Sequence, residues 1–451
     1  MPQKVMALAQ IGHHQVVLNA FDTARKGYGS VGTASVELSI KMLRRSGLGS
    51  LPTLLRESQA TAANENSPSL PLRVKVSLDG GKTFAIVFGG DIDTDEYAFH
   101  VDHCRIRARD WAGRLADEHT LLTSAQVQNL NPLQLAQRMA QQYGLQYAGP
   151  TPPTSEKNPD GSINPLAAPI GHLTVAGGGI LALKTPMPKP AWATLVGIAR
   201  AAGAQVYVTP DMKLVIRPIG ERPDGTPSRQ LIIGWRWAGG NPLTPANAPK
   251  TMSLGGSKVA VTPAMNPVVV HQPRRNTTFQ VIVVSYHAKK RQVVTETVSV
   301  IGQPLAMPKA QTLSAGIYRG TGGAGAGSAM ATATQGKPVY VLYMPESNQG
   351  QVTRAAEALA RDLSKRLVTV SAVVQGDPTL SLEDNVYFVT GDPGGLVGFE
   401  GLGPYSIVAI RHEFRADGAE GGTASGYLTH ITAQNIPPGV SLASANSLEG
   451  S

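Results

Sequence analysis

The chain of 451 residues is 42% hydrophobic and only 16% charged, enough apolar material for about three domains of ordinary size. Its 49 glycines and 33 prolines, with 5% aromatics, favour many short strands and turns over long helices, so the expected class is mostly β with α+β parts. The net charge of +9 is scattered in small groups, and Cys104 is the only cysteine. This argues against a nucleic-acid tail, a polybasic anchor, an intrachain disulfide and a multi-cysteine metal site. No stretch approaches the roughly 18 to 20 apolar residues of a membrane span. The opening MPQKVMALAQIGHH is too weakly apolar for a signal peptide, so the chain is expected to be made and assembled in the cytoplasm.

Residues 1–118 read as an antiparallel β domain. SVELSI (35–40) and LRVKVSL (72–78) alternate apolar and polar residues, each with one wet face. Asp79-Gly80-Gly81-Lys82 supplies a tight hairpin, after which FAIVFGG (84–90) is expected to return with Phe84, Ile86 and Phe88 inward. Two further strands are expected at 97–101 and 103–109, and the polar segment 56–69 reads as a loop. In HCRIRARD (103–110), period two places His103, Arg105, Arg107 and Arg109 on one face and Cys104, Ile106 and Ala108 on the other. Arg105, Arg107 and Arg109 thus form a strip able to fork onto phosphate or onto the carboxylates of a neighbouring subunit. An ordinary solvated strand face explains the same pattern.

A middle α+β domain is expected over 119–301. Asn131 can cap a helix with Pro132 at its first position, a stripe of Leu135, Met139, Ala140 and Tyr143, and a stop at Gly144. The Pro- and Gly-rich stretch 149–189 reads as an exposed loop. A second helix starts at Pro190, with Trp192, Leu195, Val196, Ala199 and Ala202 inward. It leads into a hairpin of AQVYVT and KLVIRP around Pro210-Asp211. TTFQVIVVSYHA (277–288) and RQVVTETVSVI (291–301) form another hairpin. Residues 302–336, with GTGGAGAGSAMATATQG, read as a linker or extended arm, and lack the Gly-Lys-Ser/Thr of a phosphate loop.

The C-terminal domain, 337–438, begins with an amphipathic helix over 351–366, where Val352, Ala355, Ala356, Leu359 and Leu363 share a face. Strands follow at 367–374, 385–391, 405–414 and 426–435, giving β-barrel-like domains at both ends of the chain. Residues 439–451 read as a tail. The order of a helix, Val374-Gln-Gly-Asp-Pro-Thr-Leu380, a Tyr405-Ser-Ile-Val strand, Arg411-His-Glu-Phe and a closing Gly426-Tyr-Leu-Thr strand resembles the central baseplate hub proteins of contractile phage tails, the late-control-D-like group. ARDWAGRLAD (108–117) followed by the 131–147 helix and its Gly-Leu end resembles the same family.

The resemblance implies two related β-barrel domains that form a pseudo-six-fold ring in a homotrimer, joining tail tube to central spike. The implied partners are tail tube or tube-initiator proteins, the spike and baseplate wedge proteins, with DNA passing through the lumen. The implied location is the tail of a virion, and the implied role is structural, with no cofactor.

Candidate chemistry is thin. DIDTDE (91–96) begins like a calcium loop but has Glu96 where glycine is needed. His100, His103 and Cys104 form H-x-x-H-C, but on a strand the two histidines point to opposite faces. Glu383 and Asp384, or Glu346, could serve as acid/base groups on a cell-wall sugar, a weak signal in a chain of this length. No nucleophile elbow, zincin helix or Walker lysine is present. Besides the structural hub, two other classes stay open: a peptidoglycan-degrading tail enzyme and a DNA-guiding or DNA-binding module.

Overall fold

The computed structural model describes residues 5–27, 30–47, 70–99, 102–117, 119–120, 129–150, 166–167, 169–170, 189–202, 204–218, 228–234, 251–254, 257–266, 268–271, 279–287, 291–301, 316–319, 339–343, 352, 356, 369–389, 404–416 and 426–435. The chain is mostly β and multidomain. The first unit is built from β1 (Met6–Ile11), β2 (His14–Lys26), β3 (Thr33–Ser39), β4 (Pro71–Ser77), β5 (Ala85–Phe99) and β6 (His103–Asp110). They pair in the order β1-β4-β5-β6-β3-β2, and β1 pairs again with β2, closing an antiparallel barrel. Closure removes the open edges that a flat sheet would present. The alternation legible in the sequence fills it: Val36, Leu38, Val74, Val76, Cys104 and Ile106 are buried. Burial also raises the pKa of the Cys104 thiol to about 11, which makes it a packing residue. The hairpin after β4 has Gly80 and Gly81 at positive φ, while Asp79 accepts from the Lys82 and Thr83 amides at 2.9 and 3.0 Å.

The expectation for β5 needs correcting. Val74 pairs with Phe88 and Lys75 with Ile86, so Val87 is a bulge, one residue without a partner. Val87 and Phe88 are both buried and Ile86 is only half-buried, because a bulge breaks the period of two. The strand then runs on to Phe99 without the expected break. Its register slips between Ile92 and Tyr97, so the acidic stretch falls at a strand irregularity. The 56–69 segment lies outside the described residues, as do His100 and Glu346.

Next comes an α/β layer. After α1 (Ile40–Arg45) in the barrel, α2 (Ala112–Asp117) leads from β6 to β7 (His119–Thr120), followed by α3 (Pro132–Gln142), β8 (Gln146–Tyr147), β9 (Lys189–Pro190), α4 (Ala191–Ala201), β10 (Ala204–Val208) and β11 (Lys213–Pro218). Asn131 and Gln134 form a full capping box at the start of α3, and Gly144 stops it at φ +67, as the sequence indicates. The expected stripes of both long helices are buried, and pack with Trp111, Val206 and Ile216 in one core. β10 pairs with β11 antiparallel, and β11 with β8 parallel.

The rest of the middle supplies β12 (Gln230–Gly234), β13 (Thr251–Leu254), β14 (Ser257–Pro263) and β15 (Val269–His271). A separate sheet follows, of β16 (Phe279–His287), β17 (Gln292–Ile301), β18 (Gly316–Arg319) and β19 (Val339–Tyr343), in the order β18-β17-β16-β19. The hairpin of β16 and β17 is the one expected. Within 302–336, the described residues 316–319 form a strand paired with β17.

The last strands are β20 (Thr369–Gln375), β21 (Asn385–Val389), β22 (Tyr405–Arg415) and β23 (Gly426–Asn435), at the four places expected. Of the 351–366 helix, Val352 and Ala356 are described, and both are helical and buried. β21, β22, β23 and β20 pair in sequence, Ala264 bridges from the end of β14 to Val374, and β14 and β21 both pair with β12. The pairings thus close a second ring of six, mixed rather than purely antiparallel. It joins the first barrel through β2 and β22, which pair over seven positions from Ala20–Arg415 to Lys26–Ala409.

Candidate assembly surfaces and the joint between the barrels

The arginine strip lies where period two puts it. Arg105 and Arg107 are exposed on the outer face of β6, and Ile106 and Ala108 are inside. The three guanidiniums are not equivalent. Arg109 forks onto Asp117 of α2 at 2.6 and 2.8 Å and reaches Asp93 at 3.1 Å, and these hydrogen bonds raise its pKa. Arg105 makes only a 3.5 Å contact with Glu37 on β3. Arg109 is therefore committed to holding α2 against β5, while Arg105 and Arg107 present the outward face.

Beneath β2 and β22 is a buried polar joint. At its rim, Arg411 forks onto Asp22 at 2.8 and 2.5 Å. Inside, Asp110 accepts from the Gly32 and Ala112 amides at 2.9 and 3.0 Å. Burial drives its pKa up to about 7 despite these donors and the nearby charge of Arg25. Gly32 has to be glycine here, because a Cβ would collide with the Asp110 carboxylate and the Ala24 carbonyl. His412 of β22 is buried with Nδ1 3.1 Å from the Thr429 hydroxyl and 2.9 Å from that of Tyr427. Burial first, and then the charge of Arg25, lower its pKa to about 3, so it is a neutral structural imidazole. A bulge at Val408 in β22 frees that carbonyl for the Gly27 amide at 2.8 Å.

The α/β layer is fastened to both rings. Trp111 Nε1 donates to the Pro210 carbonyl at 3.1 Å, and Arg114 lies over the Trp111 ring while forking onto Asp91 of β5. On the other side, the Tyr207 hydroxyl donates to Glu383 at 2.8 Å, and the buried Arg217 bonds Gln205 and the Leu382 carbonyl. Asp384 is buried, and accepts from Arg229 and the Ser381 amide. Glu383 and Asp384, two of the three carboxylates weighed as sugar-cleaving candidates, thus have structural partners. No cluster of three or more metal-ligating side chains occurs among the described residues. His103 pairs with Asp102 at 2.7 Å, while Cys104 faces the barrel interior.

Sequence reading missed Arg25 and Arg217, both buried polar groups. Asp110 and His412 carried a signal only as members of the Arg-Asp strand end and of Arg411-His-Glu-Phe. Among the described residues no helix is long and apolar enough to cross a membrane.

No family model matches the chain and no curated protein matches its sequence. Solved structures do. The tail protein from Neisseria meningitidis MC58 is 12% identical, with a TM-score of 0.53 over 96% of each chain. The fold is shared across nearly the whole of both molecules. The 43 kDa tail protein of prophage MuSo2 from Shewanella oneidensis is 11% identical over 97% of this chain and 99% of its own, with a TM-score of 0.48. A component of the Escherichia coli type VI secretion system, described as similar to the T4 bacteriophage tail proteins gp27 and gp5, is 8% identical over 95% of this chain and 76% of its own, with a TM-score of 0.39.

Proposed function

We propose that the protein is a structural component of a phage or phage-like contractile tail, the trimeric baseplate hub that joins the tail tube to the central spike. One observation carries the reading: two closed rings of six strands, one begun by the first strands of the chain and one completed by the last, lie side by side in a continuous sheet. Three copies would present six such rings around an axis, a pseudo-six-fold platform for a six-fold tube above a three-fold spike. The full-length fold shared with a tail protein from Neisseria meningitidis agrees with it. The segments 1–118 and 337–438 would supply the two barrel-like parts of each copy, with 119–301 as the middle part between them. Tube or tube-initiator, spike and wedge proteins would be the partners, DNA would pass the lumen, and the virion tail would be the location. The role is mechanical and needs no catalytic group.

Light scattering on a sizing column tests the stoichiometry: about 142 kDa is expected for three chains of 47.3 kDa. Electron microscopy of the purified chain mixed with its tube and spike proteins should then show a ring capped on both faces. A chain that stays at 47.3 kDa and binds neither protein sinks the reading.

A further inference from the structure

The sheet of β16–β19 has two unlike faces. Register places Val281, Val283 and Ser285 of β16 on one face, and all three are buried. On the other face, Tyr286 of β16 lies opposite Val293 of β17, and Ile282 and Val284 lie beside Val341 and Tyr343 of β19. There Val293 is 67% and Tyr343 77% exposed, and Tyr286, Val339 and Val341 are also in the open. The remaining side chains described on this face are Gln280, Thr295 and Thr297, so none of its described side chains is charged.

We infer that this uncharged face of the β16–β19 sheet is the surface on which copies of the chain meet. The inference rests on the trimeric reading above. Charge selects the occupant. A chain of net charge +9 repels its own copies, so self-contact is cheapest where no charge is brought together. An acidic protein or a nucleic acid would instead be met by lysine or arginine on the patch, and none is among its described residues. Strands about 4.8 Å apart, rising about 3.3 Å per residue, give the described patch roughly 300 Å² per copy. That is about the size of the largest apolar patch on an ordinary monomer, which is often functional. It falls short of the roughly 800 Å² that each partner contributes to a standard interface, so the face is the apolar centre of a larger contact. β19 is an edge strand of this sheet among the described residues, so a neighbour can approach its side chains and its open backbone together.

The test uses the full chain carrying Val293→Lys and Val341→Lys, which set two ammonium groups on the face. The expected result is a fall in molar mass from trimer to monomer at one protein concentration, with an unchanged far-UV circular dichroism spectrum. A variant that remains trimeric overturns the inference and leaves the trimeric reading standing. A wild-type chain that is monomeric overturns the inference, and overturns the trimeric reading with it when the chain also binds neither tube nor spike protein. Should the variant misfold, hydrogen exchange on the wild-type chain decides: the amides of 339–343 that point away from β16 should be protected in the trimer and lose that protection on dilution to monomer. Protection that survives dilution would mean that another segment of the same chain covers the face, and would overturn the inference.

Discussion

Asp110 and His412 are buried on opposite sides of Arg25, and their titrations oppose each other. Folded, Asp110 keeps its proton up to about pH 7, whereas an unfolded aspartate loses it near 3.8. Between these values unfolding releases a proton, so stability falls as pH rises. His412 is neutral in the fold down to about pH 3 but is protonated below about 6.5 when unfolded. Unfolding then takes up a proton, and stability rises with pH. Each effect amounts to about 1.4 kcal/mol per pH unit where it acts alone, and over the shared window from about pH 4 to 6.5 they cancel. Relative to wild type, Asp110→Asn should therefore show unfolding free energy climbing from pH 4 to 6.5, and His412→Asn should show it declining. Denaturant titrations across that range check this, and two profiles parallel to wild type would contradict it. The strip on β6 divides in the same physical way. Arg109→Ala should cost about 1 kcal/mol through its fork to Asp117, and Arg105→Ala less than about 0.5 kcal/mol, since its contact with Glu37 is long and exposed.

At the scale of elements, β5 and the turn between β10 and β11 fit together because Gly89 has no side chain. A Cβ at that position would run into the Pro210 carbonyl and the Trp111 indole, breaking the bond between them. Gly89→Ala should cost about 1 to 3 kcal/mol as an overpacking change, visible as a lower denaturant midpoint. Elements like α3 were legible because their determinants are local: Asn131, Pro132, Gln134 and Gly144 lie within one short segment. So were β3 and β6, whose faces alternate strictly, β4, which alternates up to Val76, and β20–β23, bounded by turn residues. The bulge at Val87 was not, because apolar residues flank it on both sides and only its pairing with β4 reveals the extra residue. The arginine strip was legible as a face, but not the diversion of Arg109 onto Asp93 and Asp117, which depends on where α2 and β5 end up. Arg25 and Arg217 gave no signal, and the burial of His412 was hidden within Arg411-His-Glu-Phe, since a polar residue in a strand reads as solvated until its neighbours are known.

For the molecule as a whole, the decisive contact joins residues nearly four hundred positions apart. Asp22 meets Arg411 at the rim of the joint. Below it, Phe414 and Tyr427, from the last two strands, sit in the core of the first barrel, with Phe414 stacked on Phe21 at 5.7 Å. Burying one such aromatic contributes about 1.5 to 3 kcal/mol, and β2 also depends on β22 for one of its strand neighbours. Tyr207 and Val215 of the α/β layer sit likewise in the core of the second ring. The rings and the layer thus complete one another's interiors, and they should lose structure together. Scanning calorimetry of the full chain should show the first barrel melting in the same transition as the second ring. Phe414→Ala should lower that shared transition, as removal of a buried aromatic costs about 3 to 5 kcal/mol. A separate early transition for the last strands, with the first barrel's melting temperature unchanged in Phe414→Ala, would mean that the barrel does not rely on the far end of the chain. Such mutual completion suits a part that transmits force, because load applied to one ring reaches the other through β2 and β22 rather than through a linker.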